Sequence, residues 1–325
     1  MTDQHTIFFQ LLKSKERFLI GCHVHPDGDA IGSMLAIGLA LKKNGKQVAM
    51  VCSEGVPSVY SFLEGNSLIT KELPDFFIPE VIIGVDCAEK DRLALSPEVW
   101  KIPDLVVVNL DHHITNIGFG EINIIDSQAA ATGELVYRLL SEGDFEMDSA
   151  IAMAIYTAIA TDTGFFRYDS TSAFTLELAS LLVGKYHIKP SKIAEQVHEQ
   201  KSFNSIRLLG EILSKLQLPN NGKIAWIVLD QVLLNKFPVE NEETESFVNY
   251  ARSIEGVEIG ILFKEFKPNE VKLSWRSTTA VDVSKLAAYF GGGGHARAAG
   301  CNINGPMESV IKQVLQFVNE YYGEH

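Results

Sequence analysis

The sequence predicts an α/β protein of two domains: a mainly parallel sheet with helices on both faces, then a smaller α/β domain. Three observations carry this. The 325 residues exceed a typical single domain. The first half alternates short, continuously apolar runs with helix-like segments. A second alternation of strands and helices begins after a charged, helical stretch. We expect domains at 1–188 and 222–325, with a helical linker over 189–221.

Phe18–Cys22 (FLIGC) reads as a buried strand, and Asp29–Asn44 as a helix closed by Gly45. Gln47–Cys52, Val81–Val85 and Leu105–Leu110 are further short, β-branched apolar runs. Helices follow at Ala131–Ser141, Asp148–Ala160 and Ser172–Val183. Strands that are apolar throughout, with helices between them, imply parallel pairing and cover on both faces. In the second domain strands are expected at Lys223–Leu229, Val257–Phe263 and Val271–Trp275. Helices are expected at Asn241–Ser253, Val283–Phe290 and Met307–Tyr322.

Composition narrows the function. The chain is 46% hydrophobic and 21% charged, enough to bury a sizeable core. Its formal charge of −13 opposes binding of long nucleic acid, which needs a basic stripe. An anionic substrate must then be small, or be drawn to a local positive site. Cys22, Cys52, Cys87 and Cys301 lie far apart, with no C-x-x-C pair, and read as reduced buried thiols. The N-terminal residues carry no cleavage pattern, and the longest apolar runs are too short to span a bilayer. A cytoplasmic protein is expected.

The chemistry sits at strand ends. The first strand runs into His23-Val24-His25-Pro26-Asp27-Gly28-Asp29, the run IIGV into Asp86, and LVVVNL into Asp111-His112-His113. Asp162 follows the helix IAMAIYTAIA. In parallel α/β sheets ligands bind beyond the carboxyl ends of the strands, so these segments should meet in one crevice. Each residue also has an ordinary reading: Asp29 as a helix N-cap, Asp27-Gly28 as a turn, Asp86 as a polar strand end. Their joint placement favours a metal site. Carboxylates with a minority of imidazoles suit Mn²⁺ or Mg²⁺.

In the second domain, Gly291–Gly294 followed by His295 and Arg297 follows a helix, not a strand, so a dinucleotide-binding turn is the weaker reading. A glycine loop whose N–H groups approach a phosphate is the better one. Phe165, Phe166 and Tyr168 read as core packing, with base stacking as the alternative.

HVHPDGDAIGS, VIIGVDCA, NLDHH and AIATDTGFFRY resemble the four motifs of the DHH phosphoesterase superfamily. SWRSTTAVDVSKLAAYFGGGGHARAAG resembles the DHH-associated C-terminal domain. The resemblance covers nearly the whole chain in order. Size and domain content are most similar to the bacterial nanoRNases that also act on 3′-phosphoadenosine 5′-phosphate (pAp).

This resemblance implies two divalent ions, Mn²⁺ before Mg²⁺, held by His23, Asp27, Asp29, Asp86, His112 and Asp162, with Asp86 bridging. It implies catalytic roles for Asp86, for His113 facing the scissile phosphate, and for Asp111 orienting a histidine. Substrate contacts are expected from His113, Arg167, Arg276, Gly292, Gly293, Gly294, His295 and Arg297. His25 departs from the family's usual asparagine and reads as a tolerated polar substitution. The implied activity is hydrolysis of short oligoribonucleotides and pAp. A linear-dinucleotide phosphodiesterase and a non-catalytic nucleotide sensor are the alternatives. The expected partners are short single-stranded RNA or small nucleotides, not long duplexes or a membrane, with a homodimer allowed.

Overall fold

The computed structural model describes residues 3–93, 95–199, 201–219, 222–278 and 281–323, apart from the side chains of residues 198, 242, 295 and 322. The chain divides into two compact units, Met1–Gln200 and Lys201–His325. The expected linker end at residue 221 lies outside the described residues.

The first unit runs α1 (Asp3–Ser14), β1 (Arg17–Cys22), α2 (Gly28–Lys43), β2 (Gln47–Val51), β3 (Ile69–Thr70), β4 (Val81–Val85), β5 (Val106–Asp111) and β6 (Ile122–Ile125). Then come α3 (Thr132–Glu142), α4 (Ser149–Asp162), α5 (Ala173–Tyr186) and α6 (Pro190–Ala194), the last continued by a π-helical turn at Glu195–Glu199. The sheet order is β3-β2-β1-β4-β5-β6, parallel at every pairing. The chain leaves β1 toward β2 and β3, then returns to β4 on β1's other side. The topological switch point therefore lies between β1 and β4, where such sheets open a crevice.

Side chains alternate across the sheet as the two-residue period requires. Phe18, Ile20, Met50, Ile83, Val85, Val108 and Leu110 join one core with α1 to α5. Leu19, Val51 and Ile82 face the other way, onto Leu73, Phe77, Leu95, Val99, Trp100 and Ile102. The α-helices thus gather on one face rather than on both as expected, while short 3-10 helices (Lys90–Leu93, Val99–Lys101) and loops cover the second. Helix α2 starts at an Asp27 cap, whose Oδ1 accepts from the N–H groups of Asp29 (3.0 Å) and Ala30 (3.1 Å). The cap is therefore Asp27, not Asp29, which is freed to point elsewhere.

The second unit contains α7 (Phe203–Ser214), β7 (Ile224–Leu229), α8 (Gln231–Lys236), α9 (Val248–Arg252), β8 (Ile259–Lys267), β9 (Glu270–Ser277), α10 (Val283–Tyr289), β10 (Gly293–His295), β11 (Ala298–Asn304) and α11 (Met307–Gly323). Its sheet order is β10-β11-β9-β8-β7, with β7 and β8 parallel and the rest antiparallel. Phe263, Leu273 and Trp275 pack there under α10 and α11.

In the second unit two expectations need correction. Asn241–Ser253 is not one α-helix: Asn241–Phe247 winds as a 3-10 helix before α9. The buried Lys264 ammonium donates to Asn241 Oδ1 (2.6 Å), Thr244 Oγ1 (3.0 Å) and Glu245 Oε1 (3.0 Å). The tighter winding stacks residues three apart, which brings Asn241 and Thr244 over that one cation. The glycine run is also only partly a loop, because Gly293–His295 forms β10 against β11.

Candidate metal centre

Three parallel strands deliver the polar cluster. β1 passes directly into His23, β4 into Asp86, and β5 ends in Asp111 followed by His112 and His113. Asp86 takes a left-handed backbone (φ 53°), an uncommon conformation for a non-glycine residue that aspartate tolerates better than most. α2 contributes Asp27 at its cap and Asp29 in its first turn, and Asp162 is the last residue of α4.

His23 Nε2 stands 3.4 Å from Asp86 Oδ2 and 4.0 Å from Asp27 Oδ1. His112 Nε2 stands 3.4 Å from Asp162 Oδ2, 3.7 Å from Asp86 Oδ1 and 3.8 Å from Asp29 Oδ2. Two groups result, His23–Asp27–Asp86 and Asp29–His112–Asp162, each with ligand atoms within 4.8 Å of one another. Asp86 faces the first group with one oxygen and the second with the other. A third grouping joins Asp86, His112 and His113, but His113 Nδ1 already donates to Asp111 Oδ1 at 2.7 Å.

The ring tautomers fit a metal. His23 Nδ1 lies 2.7 Å from the Val24 carbonyl, and His112 Nδ1 lies 3.2 Å from the Ala129 carbonyl. A carbonyl only accepts, so each Nδ1 carries a proton, and each ring, once neutral, would turn an Nε2 lone pair to the cluster. Asp111 is fully buried and its other oxygen accepts from Asn116 Nδ2 at 2.5 Å. The donor set of four carboxylates and two imidazoles matches hard divalent cations with some affinity for nitrogen.

The electrostatics point the same way. Burial disfavours the His112 imidazolium, yet Asp162, Asp29 and Asp86 outweigh it and raise its pKa to about 9. His23 is likewise opposed by burial and raised to about 9 by Asp86 and Asp27. Burial, then the charge of Asp86, pushes Asp29 up to about 7, and burial pushes Asp162 well above the carboxylate range. Burial works against Asp86 as an anion, but His23, His112 and His113 hold it well below that range. Each shift follows from carboxylates and imidazoles crowded into a buried space, a crowding that divalent cations would relieve.

Other expected residues lie outside this cluster. His25 sits at φ 57°, a region where asparagine and histidine are both enriched, which accounts for the substitution. Its backbone N–H and Nδ1 donate to Glu54 Oε2 at 2.9 and 3.0 Å. Arg167 is exposed, and its Nε donates to the Gly164 carbonyl at 2.6 Å. Phe165 and Phe166 pack on the first core, while Tyr168 is 43% exposed.

In the second unit, Arg276 Nη1 donates to the Trp275 carbonyl at 2.9 Å. Arg297 Nη1 donates to the carbonyls of Thr278 (2.7 Å) and Val281 (3.1 Å). A Cβ on Gly292 would meet Cys301 Cβ at 2.5 Å, and one on Gly294 (φ 139°) would meet the Ala298 carbonyl at 2.5 Å. Close approach of β11 explains both glycines without a ligand. Gly293 has open space around it. The His295 side chain lies outside the described residues.

Thr132, Ala129, Asn116, Asn109 and Glu54 also contact this region, and no strand-end motif marks them. Asn109 could have been noticed: it is a lone polar residue inside the apolar run VVVNL, and it is fully buried, donating to the Cys87 carbonyl at 3.0 Å.

Residues 17–159 match the DHH family N-terminal domain, and residues 222–324 match the DHHA1 domain. The bifunctional oligoribonuclease and PAP phosphatase NrnA of Thermus thermophilus is 31% identical over 313 residues, covering 96% of this chain and 92% of that protein. The Bacillus subtilis protein of the same name is 27% identical over 286 residues, covering 86% and 87%. A crystal structure of an exopolyphosphatase-related protein from Bacteroides fragilis superposes with a TM-score of 0.90 at 28% identity, covering 99% of this chain and 97% of that one. With both domain models matched in order and a relative of this identity aligned almost end to end, the chain belongs to the DHH family, whose phosphoesterases are divalent-metal-dependent hydrolases.

Proposed function

We propose that this protein hydrolyses short oligoribonucleotides to mononucleotides and removes a phosphate from pAp, using two divalent ions, with Mn²⁺ the best match. The observation that carries the reading is Asp86, whose two oxygens are shared between two ligand groups at the switch point of a parallel sheet. The names of the relatives supply the substrate class.

His23 and Asp27 would hold one ion, Asp29, His112 and Asp162 the other, and Asp86 both. When bound, such ions make water a nucleophile near neutral pH and neutralise phosphate charge. His113 is assigned to the scissile phosphate. Its Nδ1 is committed to Asp111, which fixes the ring, and its Nε2 is also a donor when the ring is charged. Burial opposes that charge, but Asp111 and Asp86 raise the His113 pKa. Two divalent ions only balance Asp27, Asp29, Asp86 and Asp162, so an anionic substrate needs further donors. We assign these to Arg167 of the first unit and to Arg276, the Gly293 and Gly294 amides, His295 and Arg297 of the second; the Gly292 N–H is already given to the Ala287 carbonyl at 2.9 Å.

No helix among the described residues is long and apolar enough to cross a membrane, and we place the enzyme in the cytoplasm. The net charge of −13 leaves each phosphate beyond the anchored ones little to gain. Efficiency with Mn²⁺ should be highest on RNAs of about two to four nucleotides and on pAp, and should fall steadily with length. A time course on end-labelled RNAs at fixed salt decides it. Equal or rising efficiency on strands of about twenty nucleotides, or no release of phosphate from pAp, would contradict the reading.

A further inference from the structure

The segment from Ala129 to Gly133, which opens α3, touches three of the six candidate ligands. The Ala129 carbonyl holds the His112 ring. The N–H groups of Thr132 and Gly133 donate to Asp29 Oδ2 and Oδ1 at 2.6 and 2.9 Å. The Thr132 hydroxyl donates to Asp86 Oδ1 at 3.1 Å.

The first N–H groups of a helix lack partners within it, and a cap side chain ordinarily supplies one. Here the N-cap is Ala131, which has no side-chain oxygen to offer. Asp29, reaching across from α2, takes that place. Its carboxylate is further held by Ser33 Oγ at 2.8 Å. Thr132 itself is fully buried. A buried hydroxyl aimed at a buried carboxylate is a neutral donor: it fixes the carboxylate's rotation and adds no charge that would compete with a cation.

We propose that Thr132 is a positioning residue of the metal centre: its hydroxyl sets the rotation of Asp86, and its amide sets that of Asp29, so that one residue aligns a ligand of each metal group. This rests on the ligand assignment under Proposed function. A threonine is suited to the task because its hydroxyl and amide point to different carboxylates.

The test compares Thr132→Val, which keeps the shape and loses the hydroxyl, with Thr132→Ser, which keeps the hydroxyl. Mn²⁺ binding to the metal-free protein is measured by calorimetry, independently of any substrate, and kcat and KM are then measured on pAp. Thr132→Val should bind Mn²⁺ about 10–100-fold more weakly and lose kcat with little change in KM. Thr132→Ser should stay within a few-fold of the parent. Parental Mn²⁺ affinity in Thr132→Val, or equal losses in both variants, would overturn the proposal. Failure of the substrate reading is separate: it would appear as a parent that binds Mn²⁺ but leaves pAp and short RNA intact.

Discussion

Asp86→Ala is expected to fold and to lose roughly 10³–10⁴-fold in kcat/KM. Asp86 is 2% exposed, with Oδ2 3.4 Å from His23 Nε2 in one group and Oδ1 3.7 Å from His112 Nε2 of the other. Its removal would take a ligand from each proposed ion and would leave His23, His112 and His113 without their common counter-charge. Losing ion-mediated stabilisation of a phosphoryl transition state costs several kcal/mol, and each 1.36 kcal/mol is a factor of ten. Asp86→Asn should be nearly as inactive, because a neutral amide can accept from Thr132 but gives only weak ligation. Turnover within tenfold of the parent for either variant, in protein of native circular dichroism, would remove Asp86 from the centre.

Gly28→Val is expected to cost about 10²-fold or more in kcat, although Gly28 ligates nothing. It is the first residue of α2, between Asp27 and Asp29. A Cβ there would lie 2.5 Å from Thr161 Cγ2 and 2.8 Å from Thr161 Cβ. Threonine's branched side chain is short and stiff within a helix, so relief requires the start of α2 to move from the end of α4. Asp27 and Asp29 ride on one helix and Asp162 on the other, so the displacement separates ligands. A misplacement of about 1 Å can cost 10²-fold, and overpacking typically costs about 1–3 kcal/mol of stability. Gly28→Ala should move kinetics and melting temperature in the same direction, by less. Parental kinetics in Gly28→Val would show that this crossing does not set the site.

What could be read in advance follows from how the site is built. His23, Asp86 and His112 continue three apolar strands, so a linear pattern marks them, and parallel pairing brings them together without long-range information. β3, with two residues, and β6, with four, are too short to leave a pattern, and each is identified by its neighbour's backbone. Asp29 could be read as a cap from its place at a helix start, but only the fold shows that Asp27 caps α2 while Asp29 caps α3 from a distance. Thr132 lay inside the expected helix at Ala131–Ser141 and carried no signal, because its role depends on where its hydroxyl points. Sequence marks the glycine run as a place of close backbone approach, but not that β11 is what lies against Gly292 and Gly294. Asn241–Ser253 had helical spacing, and the buried Lys264 that tightens its first half comes from a strand elsewhere in the sequence.

The central claim is a pair of ions bridged by Asp86, and a Mn²⁺ titration of the metal-free protein tests it most directly. Calorimetry counts the ions, and electron paramagnetic resonance reads whether they share a ligand. His23 and His112, raised to about 9, carry protons near neutral pH that must leave when their Nε2 atoms bind metal. Affinity should therefore climb as pH rises toward that value, and the binding heat should depend on the buffer's ionisation enthalpy. The account predicts two ions per chain with an exchange-coupled signal that disappears in Asp86→Ala. One ion per chain, or two that remain magnetically independent, would contradict it.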